Sequence, residues 1–540
     1  MSVNSLSDLL CDAGTRFPNR PALVTPTELL TYGELLRRAL YLAGFLVESG
    51  LKPGDRVVIC LPKGHELLTT IFGTLLAGGC YVPIDYVTPP SRIALIVRDA
   101  EPKAVICTAG AGQAIFNSVL STSSISMAHS SGKQPFIFLL LDSYADKGDA
   151  VCAPWDQAMN SVALSSLLSS CPTSRAYILY TSGSTGRPKG VVHTHESALA
   201  FVNWAAGNLH LEAKDVLSQN ASASFDLTIF DFFCSAKAAA TLVSIPEWIF
   251  GQIAKTCRFI IEKGITIWYS VPSALLRREG CAGFSALSKS ALRRVVFAGE
   301  VIPVNLLGEF ITHLPSGCVI SNWYGPTETN VVTHHDISAS DLESDKCVPI
   351  GRPCPFAQIR IVPDAKVEEG TMRKGELLVA SPTVMEGYWK LDDLTANVMM
   401  VSGDGQRFYQ TGDLVTEDDY GRLIFLGRKD RLLKVRGYRL QPEEIEHVLQ
   451  GHADVIEAAV VVIREAGLES IAGVVATTNF EDGFQKHLKK LCEDILPPYM
   501  VPSKIVRVEA LPRGNRGKID FRAIENIISL QPDAQRDGCG

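Results

Sequence analysis

A segment rich in glycine and hydroxyl side chains, YTSGSTGRPKG at positions 180–190, is the first candidate for chemistry. Glycines allow a backbone to approach a ligand closely and to direct successive N–H groups at one anion, and Ser and Thr hydroxyls add donors for phosphate oxygens. The segment therefore predicts a phosphate-binding loop, with a flexible surface loop as the alternative. Two common phosphate motifs do not fit, because Lys189 is followed by Gly190 and not by Ser or Thr, and no GxGxxG opens a helix.

A carboxylate in an apolar stretch is the second candidate. Asp226 lies in FDLTIFDFF at 225–233. Burying an ionised carboxylate without a partner is costly, so an Asp in this position favours a cationic partner such as the ammonium group of a substrate. The alternative is that Asp226 caps the N-terminus of a helix, since Asp is a good cap before an apolar run.

The strands and helices that must position these groups follow an alternating pattern. Short runs rich in Val and Ile at 56–61, 103–108, 264–271 and 293–299 alternate with longer helical patterns, and the run AYILY at 176–180 leads into the glycine-rich loop. This alternation predicts βαβ units and a mainly parallel sheet covered by helices. Residues 110–133, rich in Ser, Ala and Gly, are predicted to form a surface loop. The basic segment GRKDRLLKVRGYRL at 427–440 marks the predicted boundary between a long α/β portion and a shorter C-terminal portion.

Length, composition and charge limit the class of protein. A chain of 540 residues exceeds the size at which one hydrophobic core keeps growing, so two or more domains are expected. Its 46% hydrophobic and 20% charged residues are typical of a soluble globular protein, and its net charge of −7 argues against nucleic-acid binding. The N-terminus lacks a signal-peptide pattern and no apolar run is long enough to span a membrane, so a cytoplasmic enzyme with no membrane partner is expected. The 14 cysteines show no CxxC pair and are expected to be small buried side chains.

Several motifs occur together in a fixed order along the chain. YTSGSTGRPKG is followed by NWYGPTET at 322–329, YQTGD at 409–413, GRKDRLLKVRGYRL and PRGNRGKID at 512–520. With LTYGEL at 30–35, FDLTIFDFF and GELLVASPTVMEGYW at 375–389, nearly the whole chain resembles the adenylate-forming superfamily of acyl- and aryl-CoA synthetases, adenylation domains of nonribosomal peptide synthesis and luciferases. Within it, the chain is most similar to stand-alone amino-acid adenylation enzymes such as L-proline:carrier-protein ligases.

The resemblance implies an α/β fold with two domains. A large N-terminal domain at 1–427, made of α/β subdomains with parallel-rich sheets, would bind ATP and the amino acid. A hinge at 428–432, around Asp430, would connect it to a small mobile α+β domain at 433–540. Rotation about the hinge would alternately bring Lys518 and the segment around Gly437, which would line the thiol tunnel, to the active site.

The resemblance also implies a two-step ligase reaction. An amino-acid carboxylate attacks the α-phosphate of ATP to give an aminoacyl-AMP and pyrophosphate, and the phosphopantetheine thiol of a separate carrier protein then captures the aminoacyl group. Lys518 would be the main catalytic cation, Thr327 would donate to the α-phosphate, and Glu328 would hold Mg²⁺, which needs only one or two carboxylates beside the phosphates. Tyr324 would stack on adenine and Asp413 would bind the ribose. The implied ATP-binding residues are Thr181, Ser182, Gly183, Ser184, Thr185, Gly186, Lys189, Ala298, Gly299, Glu300, Asn322, Tyr324, Gly325, Asp413 and Arg428.

A small, neutral, apolar substrate pocket is implied as well. Asp226 would bind the ammonium group of the substrate and Lys518 its carboxylate. The other implied pocket residues are Leu227, Phe230, Tyr269, Val296, Ala298, Trp323, Val331 and Val332. Asp226 and the first three of these residues favour L-proline. Trp323 and Val332 depart from the proline pattern, so glycine, L- or D-alanine and a small β-amino acid stay open.

Two motifs that the sequence lacks indicate how the enzyme would work with its carrier protein. No LGGxS-like phosphopantetheine site follows Lys518, and the His pair in THHDISA at 333–339 lacks the condensation pattern HHxxxDG. A free-standing ligase that loads a separate carrier protein, in antibiotic or toxin biosynthesis, is therefore expected. Two other classes stay open. Asp226 disfavours an acyl-CoA ligase, and the joint presence of Lys189, Glu328, Asp413 and Lys518 disfavours a non-enzymatic nucleotide-binding regulator.

Overall fold

A computed structural model describes most of the chain. The described residues are 3–108, 111–112, 137–140, 151–164, 171–183, 187–250, 252–275, 284–302, 304–343, 347–363, 374–435, 437–465, 468–481, 483–513 and 519–530. The predicted surface loop at 110–133 lies outside them except for residues 111–112, and so does Lys518. The chain divides into two compact units. The first comprises residues 1–86, 96–180 and 189–430, and the second comprises 87–95, 181–188 and 431–540.

A nine-stranded sheet forms the part of the first unit that carries most of the candidate pocket. In spatial order its strands are Arg352–Pro353, Thr333–Asp336, Val319–Tyr324, Arg294–Ala298, Ile267–Ser270, Val216–Gln219, Thr241–Ser244, Pro21–Val24 and Leu29–Thr31. The six strands from Val319–Tyr324 to Pro21–Val24 pair in parallel, and the strands at both edges pair antiparallel. The strand predictions at 264–271 and 293–299 are confirmed.

A second sheet of eight strands carries the run that leads into the glycine-rich loop. Its order is Gly387–Tyr388, Lys189–Thr194, Arg175–Thr181, Cys80–Pro83, Arg56–Cys60, Ala104–Cys107, Ile137–Leu140 and Val151–Pro154. The pairs from Arg175–Thr181 to Val151–Pro154 are parallel, whereas Gly387–Tyr388 runs antiparallel to Lys189–Thr194. The strand predictions at 56–61, 103–108 and 176–180 are therefore confirmed, as is the mainly parallel pairing.

A third, antiparallel sheet completes the first unit. Its strands are Gln358–Val362, Lys374–Ala380, Arg407–Glu417 and Met399–Val401, with Leu423–Arg428 also paired to Arg407–Glu417. The long central strand brings Asp413 opposite Arg428.

Helices cover the two parallel-rich sheets. Up to residue 430 the described α-helices are Leu6–Arg16, Tyr32–Glu48, His65–Leu76, Pro90–Ala100, Trp155–Met159, His195–Asn208, Leu227–Ile229, Ser235–Ala238, Glu247–Phe250, Ile253–Glu262, Pro272–Leu275, Val304–Ile311, Ala339–Leu342 and Asp392–Val398. A π-helical turn spans Phe230–Cys234 and a 3₁₀-helix spans Ser285–Lys289. Local chemistry fixes several of the ends. Thr194, for example, accepts a hydrogen bond from the backbone N–H of Ser197 and so begins the helix His195–Asn208.

The main hydrophobic core of the first unit joins the N-terminal helices to the candidate pocket. Its buried members include Leu10, Leu42 and Phe72 on the three long N-terminal helices, together with Phe230 and Trp323. Because close-packed interiors resist changes of volume, a pocket that belongs to this core has walls that hold a fixed shape.

The second unit has an α+β fold of its own. A hairpin pairs Leu433–Val435 with Tyr438–Leu440, and a three-stranded sheet joins Val455–Glu465, Leu468–Thr477 and Lys504–Val508, the last pair in parallel. The helices of this unit beyond residue 430 are Pro442–Gln450, Phe484–Ile495 and Phe521–Leu530, with a 3₁₀-helix at Pro498–Met500. Pro442 begins the first of these helices, where its missing N–H costs nothing.

The helices and the cysteines of the described residues bear on the expected class of protein. None of their helices combines the length and the apolar character that crossing a membrane requires. Their cysteines are free thiols, and most of them are buried, with Cys171 and Cys347 exposed.

Candidate active site

The motif NWYGPTET begins on the last three residues of the strand Val319–Tyr324 and continues from Gly325 as a tight loop. A Cβ atom on Gly325 would lie 1.7 Å from the carbonyl oxygen of Asn330, so only glycine allows the two ends of the loop to approach. Asn330 adopts a left-handed conformation with a φ of 54°, and the N–H of Thr329 donates to the carbonyl of Pro326 at 2.9 Å. The loop therefore presents Thr327 at a fixed place beside the carboxyl end of the strand.

The His193 side chain from the second sheet and the backbone of Met385 hold this loop. The Nε2 atom of His193 lies 2.8 Å from the carbonyl oxygen of Thr327, and the N–H of Met385 donates to the carbonyl of Glu328 at 2.7 Å. Burial lowers the pKa of His193 to about 4, so the ring is neutral at physiological pH. Because Nε2 faces a carbonyl acceptor, it carries the proton, and Nδ1 is left to accept from the hydroxyl of Ser197 at 3.1 Å. The sequence reasoning did not identify His193.

Glu328 lies in a triangle of polar groups. Its side chain is fully buried, and its Oε1 atom accepts from the Nζ of Lys189 at 3.2 Å and from the hydroxyl of Tyr388 at 2.7 Å. The third side is the 2.9 Å hydrogen bond from Lys189 to the Tyr388 hydroxyl. A buried carboxylate is tolerated only when it is paired and hydrogen-bonded, and this triangle meets both conditions.

The chemistry of this triangle fits the predicted Mg²⁺. Mg²⁺ takes oxygen ligands and is commonly bound by one or two carboxylates together with waters and substrate phosphates. Among the described residues, no three His, Cys, Asp or Glu side chains form a cluster that could hold a metal alone, so Glu328 would share the ion with the phosphates of ATP. The ion would neutralise phosphate charge, and the ammonium group of Lys189 would act on the same anions.

Asp226 and Thr327 meet although 101 residues separate them. The Oγ1 of Thr327 donates to the Oδ2 of Asp226 at 2.7 Å. The expectation of a buried carboxylate is wrong, because Asp226 is half-buried. Asp226 precedes the short helix Leu227–Ile229 but makes no side-chain cap to it. The capping alternative is therefore wrong, and the carboxylate instead faces the nucleotide motif.

Three aromatic rings form the centre of the candidate pocket. The ring centroids of Phe230 and Tyr269 are 5.1 Å apart, those of Phe230 and Trp323 5.8 Å, and those of Tyr269 and Trp323 5.4 Å, all near edge-to-face. Trp204 backs the ring of Trp323 at 5.0 Å. The implied pocket residues are all buried: Leu227, Phe230, Tyr269, Val296, Ala298, Trp323, Val331 and Val332. Edge-to-face rings in a packed core leave little room for a large side chain.

Sheet register explains how these residues come together. Tyr269 pairs with Val296, and Ala298 pairs with Trp323, on three adjacent parallel strands. The pocket residues thus lie toward the carboxyl ends of parallel strands, which is where open α/β sheets bind ligands. The adjoining turn Phe230–Cys234 is π-helical, a geometry that often marks functional sites.

A second buried carboxylate lies where the nucleotide is predicted to bind. Asp413 is fully buried, accepts from the hydroxyl of Tyr324 at 2.5 Å, and is paired with the Nη1 of Arg428. Burial and the adjacent carboxylate both raise the pKa of Tyr324, so its hydroxyl stays protonated and donates. Arg428 uses its other nitrogens on Asp430, with Nε at 2.6 Å and Nη2 at 2.9 Å. One guanidinium therefore connects the predicted ribose carboxylate with the predicted hinge residue.

The remaining predicted nucleotide residues of the first unit lie at strand ends. Ala298 and Gly299 follow one another at the end of the strand Arg294–Ala298. The carboxylate of Glu300 accepts from the N–H and the hydroxyl of Ser273 at 2.8 and 2.9 Å, so a contact of Glu300 with adenine would use its backbone. The amide of Asn322 donates to the carbonyl of Pro349 at 2.9 Å.

The phosphate loop is only partly described. Thr181, Ser182 and Gly183 belong to the second unit, whereas Ser184, Thr185 and Gly186, like Lys518, lie outside the described residues. The hydroxyl of Ser182 donates to the carbonyl of Arg439 at 2.7 Å and accepts from the N–H of Gln441 at 3.0 Å. Gly437 forms the turn of the adjoining hairpin with a φ of 80°. The roles assigned to these residues stay predictions.

Comparisons with known proteins match the chain to one family of enzymes. The model of the AMP-binding enzyme family matches residues 11–389, and that of the AMP-binding enzyme C-terminal domain matches 444–518. An L-proline--[L-prolyl-carrier protein] ligase of Streptomyces coelicolor is 35% identical over 523 residues, which cover 95% of this chain and 94% of that protein. A ligase of the same description from Pseudomonas fluorescens is 33% identical over 513 residues, covering 95% and 97%.

A solved structure extends the likeness to the fold. The adenylation domain AlmE of Vibrio cholerae, in complex with glycyl-adenosine-5'-phosphate, matches with a TM-score of 0.80 and 23% identity over 98% of this chain and 99% of that one. The predicted α/β fold, with a large N-terminal and a small C-terminal domain, is confirmed by this match and by the observed sheets.

Proposed function

The chain belongs to the AMP-binding enzyme family, and from that membership we propose that it uses ATP to activate a small neutral amino acid and loads it onto a separate carrier protein. The first step would form an aminoacyl-AMP and release pyrophosphate. The second would transfer the aminoacyl group to the phosphopantetheine thiol of the carrier. Two relatives that are similar over their whole length and are described as prolyl-carrier-protein ligases support the carrier as acceptor.

The contact between Asp226 and Thr327 is the observation that carries this proposal. It places an anionic group at 2.7 Å from the nucleotide motif and one residue before the aromatic-lined pocket begins at Leu227. An α-amino acid brings an ammonium group that would pair with this carboxylate, while its own carboxylate would point toward the α-phosphate. A fatty or aryl acid offers no cation to Asp226 and would lack the charge-assisted contact that the ammonium group of an amino acid would make there.

The identity of the amino acid follows from the pocket and the relatives. The three rings and the surrounding aliphatic side chains favour a small apolar substrate, and we propose L-proline first because both ligases named above are described as acting on it. The bulky Trp323 keeps glycine, L- or D-alanine and a small β-amino acid as alternatives. Pockets separate such neighbours by only about 10- to 200-fold per methylene, so some activity with a second amino acid is expected.

The remaining parts of the site have proposed roles in the same reaction. Lys189 and Glu328, with Mg²⁺, would act on the phosphates, and Asp413 with Arg428 would bind the ribose. Lys518 would stabilise the charge that develops between the two reacting anions. A place in antibiotic or toxin biosynthesis is proposed from the likeness to carrier-protein ligases.

An exchange assay tests the proposal directly. Labelled pyrophosphate should enter ATP only when a substrate amino acid is present, and L-proline, glycine, both alanines and β-alanine form the essential panel. No exchange with any of them, or activity with free coenzyme A and an organic acid that lacks an amine, would overturn the proposal. The second result would favour an acyl-CoA ligase.

A substitution of Asp226 tests its role within that assay. Asp226→Ala should lower amino-acid-dependent exchange by about 10- to 100-fold, because a hydrogen bond to a charged group contributes about 1.5–3 kcal/mol at such a half-buried site, while ATP binding is retained. Asp12→Ala is a matched control, since Asp12 is 39% exposed and forms an ion pair with Arg16 on a surface helix turn. Equal exchange by the two variants would refute the role of Asp226.

A further inference from the structure

Tyr388 shares the buried triangle with Glu328 and Lys189 but has no role in the reaction as described so far. Its hydroxyl donates to the Glu328 carboxylate at 2.7 Å and accepts from the Lys189 ammonium group at 2.9 Å. The same ammonium group lies 4.2 Å from the centre of the Tyr388 ring. The phenol therefore contacts both groups that the proposed reaction places on the phosphates.

The backbone of Tyr388 is held at several points. Tyr388 pairs with Val191, and its neighbour Gly387 pairs with Val192, on the strand that begins with Lys189. The Tyr388 N–H donates to the hydroxyl of Thr395 at 2.9 Å, and the side chain is 3% exposed. The ring thus has one available position, set by the sheet and by its packing.

We propose that Tyr388 is a positioning residue that sets the carboxylate of Glu328 and the ammonium group of Lys189 for binding of the metal and the phosphates. This inference rests on the proposed function, since it assigns Glu328 and Lys189 to ATP. The carboxylate of Glu328 and the ammonium group of Lys189 already form a direct ion pair at 3.2 Å. The phenol accepts one donor of Lys189 and supplies one to Glu328. It therefore restricts the rotation of both groups within that pair.

The test variant is Tyr388→Phe, which removes the hydroxyl and keeps the ring. We expect the Mg²⁺ concentration for half-maximal exchange to rise about tenfold, equivalent to about 1.4 kcal/mol, with the KM for the amino acid unchanged within about twofold. A readout independent of turnover is the affinity for Mn²⁺ in the presence of a non-hydrolysable ATP analogue, followed by electron paramagnetic resonance. That affinity should fall by the same factor of about ten, because the same carboxylate is mispositioned.

Tyr86→Phe is the matched control. Tyr86 also donates through its hydroxyl to a carboxylate, Oε2 of Glu247 at 2.9 Å, but at an exposed position. It should leave both the Mg²⁺ dependence and the Mn²⁺ affinity as in the wild type.

A double-variant cycle adds a second check that does not depend on the single variant alone. On a Glu328→Gln background, Tyr388→Phe should cost little further Mn²⁺ affinity, since the contact has already been altered.

Three results would overturn the inference. The first is a Tyr388→Phe variant with wild-type Mg²⁺ dependence and Mn²⁺ affinity. The second is a loss spread equally over Mg²⁺, ATP and amino acid with a lowered melting temperature, which would show general damage to the fold. The third is full additivity in the double-variant cycle. If the wild type shows no exchange with any amino acid, the proposed function fails, whereas the Mn²⁺ measurement still tests Tyr388.

Discussion

The Thr327 hydroxyl has one hydrogen, and two different acceptors compete for it. In the structure it donates to Asp226 at 2.7 Å, whereas the proposed reaction requires it to donate to the α-phosphate of ATP. When ATP binds alone, Asp226 loses this donor at a half-buried position. When the amino acid is also present, its ammonium group replaces the hydroxyl at Asp226. ATP and the amino acid are therefore expected to bind with positive coupling that passes through Thr327.

The size of this coupling can be bounded. A hydrogen bond to a charged group contributes about 1.5–3 kcal/mol, and this sets the upper limit because the exchange replaces one such bond with another. A net coupling of about 1 kcal/mol corresponds to roughly a fivefold increase in the affinity for ATP when the amino acid is saturating. Linkage requires the same factor for the amino acid when ATP is saturating.

Calorimetric titration with a non-hydrolysable ATP analogue, with and without L-proline, measures this coupling. Thr327→Val has nearly the same volume but no hydroxyl, and should bind both ligands with the coupling reduced to a factor near one. Thr327→Ser keeps the hydroxyl and should keep the coupling. If Thr327→Val retains the full coupling of the wild type, the shared hydroxyl is not its source and the reasoning is refuted. The absence of coupling in the wild type would refute it as well.

Two further substitutions test the groups around the site. His193 has a folded-state pKa of about 4 against 6.5 in the unfolded chain, so the unfolded state takes up a proton first as the pH falls, and stability is lost between pH 6.5 and 4. At pH 5 the free energy of unfolding is lower by about 2 kcal/mol for this reason. His193→Gln should remove this loss, as measured by denaturant titrations at pH 7 and pH 5. An unchanged pH dependence in the variant would contradict the assignment. Arg428→Lys cannot contact both Asp413 and Asp430, so the KM for ATP should rise about tenfold with the amino-acid KM unchanged. A variant kinetically equal to the wild type would show that the bridge is not used.

Much of the fold could be predicted from local patterns. The runs at 56–61, 103–108, 264–271 and 293–299 were expected as strands and are strands, because β-branched apolar residues in short runs fit a sheet that is covered on both faces. The ordered motifs also predicted the family, which the family models confirm. For Asp226 the apolar pattern predicted a buried charge, whereas the residue is half-buried, and the pattern could not distinguish between a helix cap and a ligand contact.

Other features had no signal in the sequence. His193 is one residue of an apolar strand. Its hydrogen bond to the carbonyl of Thr327 depends on how the strand Lys189–Thr194 packs against the loop that carries Thr327. Tyr388 belongs to the segment at 375–389, and nothing in that segment indicates its partners. The bridge from Asp413 through Arg428 to Asp430 follows from the antiparallel register of two strands, in which residues 413 and 428 stand opposite each other.

The types of chemical group, their order along the chain, and the periodicities that make each segment a strand, a helix or a loop can be read directly from the amino-acid sequence. Those properties are local, since propensity and burial pattern act over a few residues. Which groups meet depends on the fold: Asp226 contacts Thr327 across 101 residues, and Tyr388 contacts Glu328 across 60. The reason is that sheet order and strand register set distances between segments remote in sequence, and a shift of one residue would turn each side chain to the opposite face.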